Sequence, residues 1–157
     1  MPGGPGVNAL MEDVETLSFI RSLAKGARYV TSVCTGALVL GAAGLLKGRR
    51  ATTHWLSLDL LPHFGAVPAM ERVVLDGNLI TGGGVTSGID FALTLVSLAA
   101  GEETARLVQL SLEYDPAPPW DSGHPDRADP RTVEEARRRA AVLQAERLAI
   151  AKRVAVG

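Results

Sequence analysis

The segment Val30-Thr31-Ser32-Val33-Cys34-Thr35-Gly36-Ala37 constrains the fold more than any other part of the chain. Its β-branched first half is typical of a buried strand, and the small apolar residues from Gly36 onward are typical of a helix. Because the helix begins directly after the strand, the chain has to turn sharply at Cys34. The sequence therefore predicts a strand–turn–helix unit with Cys34 at the carboxyl end of the strand.

Strands and helices alternate along most of the remaining chain. Apolar positions at helical spacing predict a helix that ends at Gly26, and two apolar runs around Asp76-Gly77 predict a β-hairpin. This alternation favours an α/β fold, which we expect to be a flavodoxin-like three-layer sandwich with a mostly parallel sheet. The other predicted elements are strands over 28–33 and 50–53 and helices over 36–43, 55–64, 89–100 and 102–112, the helix over 89–100 being well buried.

The last part of the chain differs in composition. Residues 115–130 hold five of the nine prolines, which predicts an ordered arm or a linker without regular structure. Thr132 with Glu135 three positions later gives a capping-box pattern, so the last helix is expected to begin at Thr132. Its apolar stripe is interrupted by Arg147. We therefore expect an α/β domain over 1–115 and, as parts of the same domain, a proline-rich arm and C-terminal helix over 116–157.

Composition narrows the class of protein further. The 157 residues carry a formal charge of −1, which argues against a dedicated nucleic-acid binder, and 46% hydrophobic residues argue against disorder. We find neither an apolar run of membrane-spanning length nor a signal-peptide pattern. A single cysteine excludes an internal disulfide and fits a reducing compartment. These features predict a cytoplasmic protein that binds neither nucleic acid nor a membrane.

Cys34 is the residue best placed for chemistry. On a sharp turn before a helix, free backbone N–H groups and the helix N-terminus favour the thiolate, which is the nucleophilic form of cysteine. Position alone leaves three interpretations open: a catalytic nucleophile, an inert cysteine packed in the core, and a redox sensor.

The histidines give a weaker signal. His54 follows a strand-like run, and it is either a catalytic residue at the edge of the sheet or a hydrogen-bonded structural residue. His63 and His124 are expected on the surface or in loops. With one cysteine and no paired histidine spacing, the sequence predicts no metal site.

Two further features have a structural and a functional interpretation. The glycines at 82–84 resemble a phosphate-binding turn, but the lysine of a P-loop is missing, and tight strand–helix packing is the favoured interpretation. Asp90 is expected to cap a helix or form a salt bridge rather than to catalyse.

Several motifs together resemble the ThiJ/PfpI superfamily, which is related to class I glutamine amidotransferases, and within it the isocyanide hydratase branch. Taken together they are specific, whereas each one alone is weak. The resemblance covers nearly the whole chain and rests on the stretches at 2–4 (PGG), 32–36 (SVCTG), 51–55 (ATTHW), 76–93 (DGNLITGGGVTSGIDFAL) and 109–119 (QLSLEYDPAPP).

The resemblance implies roles for individual residues. Cys34 corresponds to the family's nucleophile, and the N–H groups of Gly3 or Gly4 and of Thr35 correspond to the donors that bind the developing negative charge. The Thr35 hydroxyl is a further candidate partner of the thiolate. Relatives that hydrolyse amides have histidine directly after the cysteine, so threonine at this position argues against peptidase or amidotransferase activity.

The chain departs from the family at its beginning. Members of the family carry a further segment before the Pro-Gly-Gly loop, which supplies the first strands of the sheet and an acidic residue beside the cysteine. Met1 stands where the family has the last apolar residue of a strand. Two explanations are open: the true start lies upstream of Met1, or the gene is truncated and a central parallel strand is absent. For the residues as given we expect a sheet that lacks its N-terminal strands, a chain that is poorly stable or covered by a partner, and no assignable general acid.

By resemblance, the expected function is hydration of a small apolar isonitrile to an N-substituted formamide by a homodimer that uses no cofactor. The same domain also serves as the ligand-sensing part of AraC-type transcriptional regulators. Only one predicted helix follows Pro130 here, which is too little for a helix-turn-helix region. Two more interpretations stay open, namely a cysteine-oxidation sensor and a catalytically inactive fragment.

Overall fold

Residues 1–155 are described in a computed structural model. The bounds of most predicted elements are confirmed to within a few residues. The helices are α1 (Val7–Leu10), α2 (Val14–Gly26), α3 (Gly36–Ala42), α4 (Ser87–Ala100), α5 (Glu102–Ser111), α6 (Pro130–Val154) and a 3₁₀ helix (Trp55–Phe64), and the strands are β1 (Val30–Val33), β2 (Arg50–Ala51), β3 (Val67–Pro68), β4 (Val73–Asp76) and β5 (Leu79–Gly82).

The sheet is built around β1 and the predicted hairpin. β5 lies between β1 and β4, parallel to β1 and antiparallel to β4, and β2 pairs with β3 in a separate parallel ladder. Two of the three strand pairings are therefore parallel, as expected for an α/β fold. On the edge of β1 opposite β5, the Met1 amino group donates to the Thr31 carbonyl at 2.7 Å, and the Val33 N–H donates to the Met1 carbonyl at 3.1 Å. Met1 thus takes the position of a parallel strand residue beside β1.

Residues 1–155 divide into two compact units, the first comprising Met1–Phe91 and residues 143–155, the second Ala92–Val142. Neither unit tests the expected boundary between 1–115 and 116–157, which stays a prediction.

In the first unit, α3 forms the centre of the hydrophobic core. All residues from Gly36 to Gly41 are buried, because small side chains let the helix approach its neighbours closely. A Cβ atom on Gly36 would overlap the Met1 carbonyl, and one on Gly41 would lie 2.5 Å from the Phe64 ring. Each large apolar side chain buried here contributes about 1.5–3 kcal/mol. Fully buried members include Met11, Leu38, Leu46, Leu61, Leu79 and Ile80.

The predicted helix over 55–64 has the expected bounds but 3₁₀ geometry. Pro62 lies inside it, and proline cannot donate the backbone hydrogen bond that an α-helix interior requires. The segment still buries Leu58, Leu61 and Phe64 against the core.

The expectation that the helix over 89–100 is well buried was wrong. In α4 only Ser87 and Phe91 are buried, whereas Ile89 and Leu98 expose 42% and 41% of their surface. An apolar sequence predicts a helix, but burial depends on which surfaces pack against that helix.

The second unit contains most of α4, all of α5, the proline-rich segment and the first half of α6. The proline-rich segment has no helix or strand, as expected. The predicted capping box was wrong: α6 begins at Pro130, Asp129 accepts from the Arg131 N–H at 2.8 Å, and Glu135 instead binds Arg138 and Arg139. Proline is well suited to the first helical position. None of the helices within residues 1–155 is long and apolar enough to cross a membrane.

Candidate active site

Cys34 lies directly after β1 in a backbone conformation that few residues other than glycine adopt. Its φ of 57° is in the left-handed region, so the predicted sharp turn is present. Two hydrogen bonds hold it: the Cys34 N–H donates to the Gly82 carbonyl at 3.0 Å, and the Thr53 hydroxyl donates to the Cys34 carbonyl at 2.8 Å. Cys34 is half-buried and is a free thiol. Its exposure is thus not that of a cysteine sealed in the core.

The loop at Gly3 and Gly4 packs directly on this turn. A Cβ atom on Gly3 would lie 2.7 Å from the Thr35 nitrogen and 2.9 Å from Cys34 Cβ, so only glycine fits there. The Gly4 N–H donates to the Thr35 hydroxyl oxygen at 3.1 Å. Thr35 precedes α3, but its side chain does not cap that helix. The Thr35 side chain therefore fixes the loop instead.

Two backbone donors beside Cys34 remain available. Within residues 1–155, neither the Gly3 N–H nor the Thr35 N–H has a hydrogen-bond partner, whereas the Gly4 N–H is used by Thr35. Of the two donors that the resemblance suggested for the loop, Gly3 is thus the one left free. Gly3 and Thr35 lie next to each other, and unpaired N–H groups in this arrangement bind an oxyanion well.

His54 follows β2 and is half-buried next to the glycine turn. Its Nδ1 accepts from the Leu56 N–H at 3.3 Å, and its Cδ2 lies 3.6 Å from the position of a Cβ atom on Gly84. Burial lowers the pKa of His54 below its ordinary value of 6.5, and the positive charge of Arg147 lowers it further. The imidazole is therefore neutral at pH 7, with Nδ1 already used as an acceptor.

Arg147 is a residue of this site that the sequence did not predict. It exposes only 5% of its surface and lies in α6, where it interrupts the apolar stripe. Its Nε donates to the Asn8 side-chain oxygen at 3.1 Å, and longer contacts join Nη1 to the Ser57 hydroxyl (3.4 Å) and Nη2 to the Gly4 carbonyl (3.5 Å). The interruption of the stripe was the available signal, because a charged residue on a packed face needs polar partners.

Gln144 completes this group. With its amide oxygen turned toward the guanidinium, it accepts from Arg147 Nη1 at 3.3 Å, and its nitrogen donates to the Leu56 carbonyl at 3.2 Å. We call Arg147, Asn8, Ser57 and Gln144 the Arg147 cluster. Burial lowers the pKa of Arg147, while Cys34 and Glu146 oppose that shift. An arginine has so high an ordinary pKa that it stays charged at pH 7.

The remaining candidates lie outside the site or serve the fold. The glycine run packs tightly, as expected, with a Cβ atom on Gly82 coming within 3.3 Å of Phe91. Asp90 forms the expected salt bridge, with Arg72. His63 lies in the last turn of the 3₁₀ helix and His124 in the proline-rich segment. Within residues 1–155 no three His, Cys, Asp or Glu side chains are grouped so as to hold a metal ion.

The amino-acid sequence is similar to those of several known proteins. A sequence model of the DJ-1/PfpI family matches residues 1–98. The isonitrile hydratase of Pseudomonas putida is 64% identical over 155 residues, which are 99% of this chain and 68% of that protein. The HTH-type transcriptional regulator CdhR of Pseudomonas aeruginosa is 35% identical over 102 residues, or 62% of this chain and 29% of the regulator.

A solved structure extends the comparison to the fold. A ThiJ/PfpI family protein from Pseudomonas syringae has a TM-score of 0.91 and 44% identity, over 95% of this chain and 62% of that one. The chain thus spans only part of these relatives. The expected α/β fold class and the resemblance are both confirmed. Because the family model matches well over half of its residues, the chain belongs to the DJ-1/PfpI family.

Proposed function

We propose that this protein hydrates an isonitrile to an N-substituted formamide, with the Cys34 thiolate as nucleophile. The observation that carries the proposal is Cys34 at φ 57° beside two unpaired N–H donors, those of Gly3 and Thr35. The 64% identity to the isonitrile hydratase of Pseudomonas putida supports this choice of reaction. The lower identity to the transcriptional regulator makes a ligand-sensing role the weaker candidate.

The first step forms a carbon–sulfur bond. The Cys34 thiolate donates an electron pair to the terminal carbon of R–N≡C, and that carbon takes up a proton, which gives the thioimidate R–N=CH–S–Cys34. An acid has to supply the proton. Within residues 1–155 no carboxylate is hydrogen-bonded to Cys34, Thr35 or the Gly3–Gly4 loop, so we assign this step to no residue.

The second step adds water and releases the product. Water adds to the thioimidate carbon and the nitrogen takes up a proton, which gives R–NH–CH(OH)–S–Cys34. Loss of the hydroxyl proton and cleavage of the carbon–sulfur bond then yield R–NH–CHO and the thiolate. The N–H groups of Gly3 and Thr35 stabilise the oxygen as it becomes negative, and each such donor contributes roughly 3–4 kcal/mol. The sequence of steps involves no net oxidation or reduction and requires no cofactor or metal.

His54 has a supporting role in this scheme. Because burial and Arg147 hold its pKa low, it is neutral near pH 7 and cannot act as the acid of the first step. Its Nδ1 is used by the Leu56 N–H, so only Nε2 is available. We assign His54 to hydrogen bonding at the edge of the site rather than to proton transfer.

The proposal extends to the substrate and the assembly. An isonitrile carries no net charge, so a small apolar substrate suits a thiol flanked by backbone donors. On α5, Leu107 and Leu110 expose 64% and 79% of their surface, which supports association into a homodimer. A lone free cysteine supports a reducing, cytoplasmic location.

Turnover of cyclohexyl isocyanide tests the proposal. The protein is mixed with this isonitrile, formamide is followed by mass spectrometry, and Cys34→Ser serves as the matched control. We expect the wild-type rate to exceed that of C34S by on the order of 10³-fold, because removal of a nucleophile removes the covalent route. Equal rates from both proteins, or no formamide from either, would rule out the proposed function.

A further inference from the structure

Arg147 is a buried cation whose hydrogen-bond partners are all neutral. Its side chain contacts the oxygens of Asn8, Ser57, Gln144 and Gly4, and none of the ion pairs within residues 1–155 includes it. A buried charge without a counter-ion is costly, even when neutral oxygens accept its hydrogen bonds. Fold stability alone therefore gives little reason for an arginine at this position of the apolar stripe.

The contacts of Arg147 lead directly to the proposed oxyanion donors. Nη2 reaches the Gly4 carbonyl, and the Gly4 N–H in turn donates to the Thr35 hydroxyl. Asn8 lies in α1, four residues after Gly4, and holds the guanidinium through Nε. The loop that carries the free Gly3 N–H is thus held on one side by Thr35 and on the other by Arg147.

Arg147 also acts on the reacting atom through its charge. The charge of the guanidinium interacts with Cys34 and with the carboxylate of Glu146, and it also acts on the half-buried His54, which is neutral at pH 7. The carboxylate of Glu146 offsets part of this charge, but Arg147 forms no ion pair within residues 1–155 and still favours an anion formed beside it. Both the thiolate and the oxygen of the tetrahedral intermediate are such anions.

We propose that Arg147 is a positioning residue for the reaction: it holds the Gly3–Gly4 loop against Cys34 and Thr35 and supplies positive charge to the anions formed there. This inference rests on the proposed function and extends it to α6. The residue acts through the loop and through its charge, without contacting the substrate.

Three variants of α6 test the inference. Arg147→Met removes the charge and the contacts, Arg147→Lys keeps the charge, and Arg153→Met removes an exposed arginine of the same helix that pairs with Glu12. We expect kcat for cyclohexyl isocyanide to fall about 100-fold in R147M while KM changes less than about threefold. R147K recovers part of kcat, and R153M matches the wild type.

Alkylation of Cys34 by iodoacetamide at pH 7, followed by intact mass, gives a readout that needs no turnover. We expect the rate to fall about tenfold in R147M and to recover in R147K, because the thiolate is the reactive form. If the wild type alkylates quickly, R147M slowly, and neither hydrates the isonitrile, the proposed function and the role of Arg147 in that reaction fail, while its effect on the Cys34 thiolate stands. Unchanged kcat and unchanged alkylation in R147M overturn the inference.

A further variant distinguishes a loss of activity from a loss of folding in R147M. Melting temperatures are measured for all proteins, and Asn8→Ala removes the Nε partner while leaving the arginine in place. We expect N8A to lower kcat about tenfold with a smaller effect on alkylation. If R147M does not fold, N8A with wild-type kcat and alkylation overturns the inference.

Discussion

The β1–α3 turn and the Arg147 cluster both bind Gly4, yet they are built in different ways. The turn is made from consecutive residues, and its Thr35 accepts from the Gly4 N–H. The cluster is made from α1, the 3₁₀ helix and α6, and its Arg147 donates to the Gly4 carbonyl. The turn is a continuous stretch of backbone that Gly82 and Thr53 hold in place, whereas the cluster exists only where side chains far apart in sequence meet.

Because of this difference, substitutions in the two regions are expected to affect the site in different ways. The turn carries the reacting thiol and the free Thr35 N–H, and the Gly3 N–H packs directly on it, so a change at either place acts on the chemistry directly. In the cluster, a change acts through the loop or through charge, so the fold and the thiol persist. Substitutions in the turn are therefore expected to have larger effects on activity than substitutions in the cluster.

Among changes that leave the Cys34 thiol in place, Gly3→Ala has the largest expected effect. The new Cβ would lie 2.7 Å from the Thr35 nitrogen and 2.8 Å from its hydroxyl oxygen, so the loop has to move away from the turn. That movement separates the two free N–H groups, and loss of one oxyanion donor costs on the order of 10²–10³ in kcat. Formamide production by purified G3A against wild type measures the loss.

Gly6→Ala is the matched control in the same loop. Gly6 has φ −67°, and no atom lies within 4 Å of a Cβ placed there. We expect G6A to keep wild-type activity and to change the free energy of unfolding by less than about 1 kcal/mol. Similar activities of G3A and G6A would show that the close approach of Gly3 to Thr35 has no part in catalysis.

The pH dependence of stability tests whether the two regions are coupled through His54. The pKa of His54 is lowered mainly by burial and to a smaller extent by the charge of Arg147. Above pH 6.5 the imidazole is neutral in folded and unfolded chains alike. Below pH 6.5 the unfolded chain takes up a proton that the folded chain does not, so the free energy of unfolding falls as the pH is lowered.

Melting temperatures between pH 8 and pH 5 measure this loss. Asn is an effective helix N-cap and can replace Nδ1 as the acceptor for Leu56, so His54→Asn is expected to lose less stability than wild type over this range. In R147M the loss is also smaller, because the repelling charge is gone. Equal slopes in wild type, H54N and R147M would mean that the cluster and His54 are not coupled.

Local sequence patterns predict the turn at Cys34, but they do not predict contacts between residues that are far apart in sequence. A β-branched run and a small-residue helix meet at Cys34, which is enough to predict a sharp turn, and Asp76-Gly77 is enough to predict the hairpin. The contact between Arg147 and Asn8 joins residues 139 positions apart. In the sequence, the only sign of this contact is that Arg147 interrupts the apolar stripe of α6. That interruption does not show which residue Arg147 contacts.

The wrong predictions have physical causes of the same kind. The capping box failed because α6 begins at Pro130, which places Thr132 inside the helix, and because Glu135 pairs with Arg138 and Arg139 instead. The sequence pattern over 55–64 predicted the bounds of the 3₁₀ helix but not its geometry, and Pro62 inside it disfavours the α-helical hydrogen-bond pattern. In each case a local pattern predicted the element, and a competing partner or residue decided its detail.

Ser32, two residues before Cys34, gives the smallest expected effect and tests whether β1 itself is tuned for catalysis. Its buried hydroxyl has no hydrogen-bond partner among residues 1–155, whereas the hydroxyl of Thr81, opposite it on β5, accepts from the Thr52 N–H at 2.9 Å. Removing an unpaired buried hydroxyl relieves a desolvation cost, so Ser32→Ala is expected to raise the free energy of unfolding by about 1 kcal/mol or less. Thr81→Val, the matched change on the paired side, leaves the Thr52 N–H unpaired and is expected to lower it by about 1–3 kcal/mol. Urea unfolding measures the change in the free energy of unfolding for both variants. If S32A is instead less stable and turns over isonitrile more slowly, the Ser32 hydroxyl contributes to the site and its burial is not merely a cost to β1.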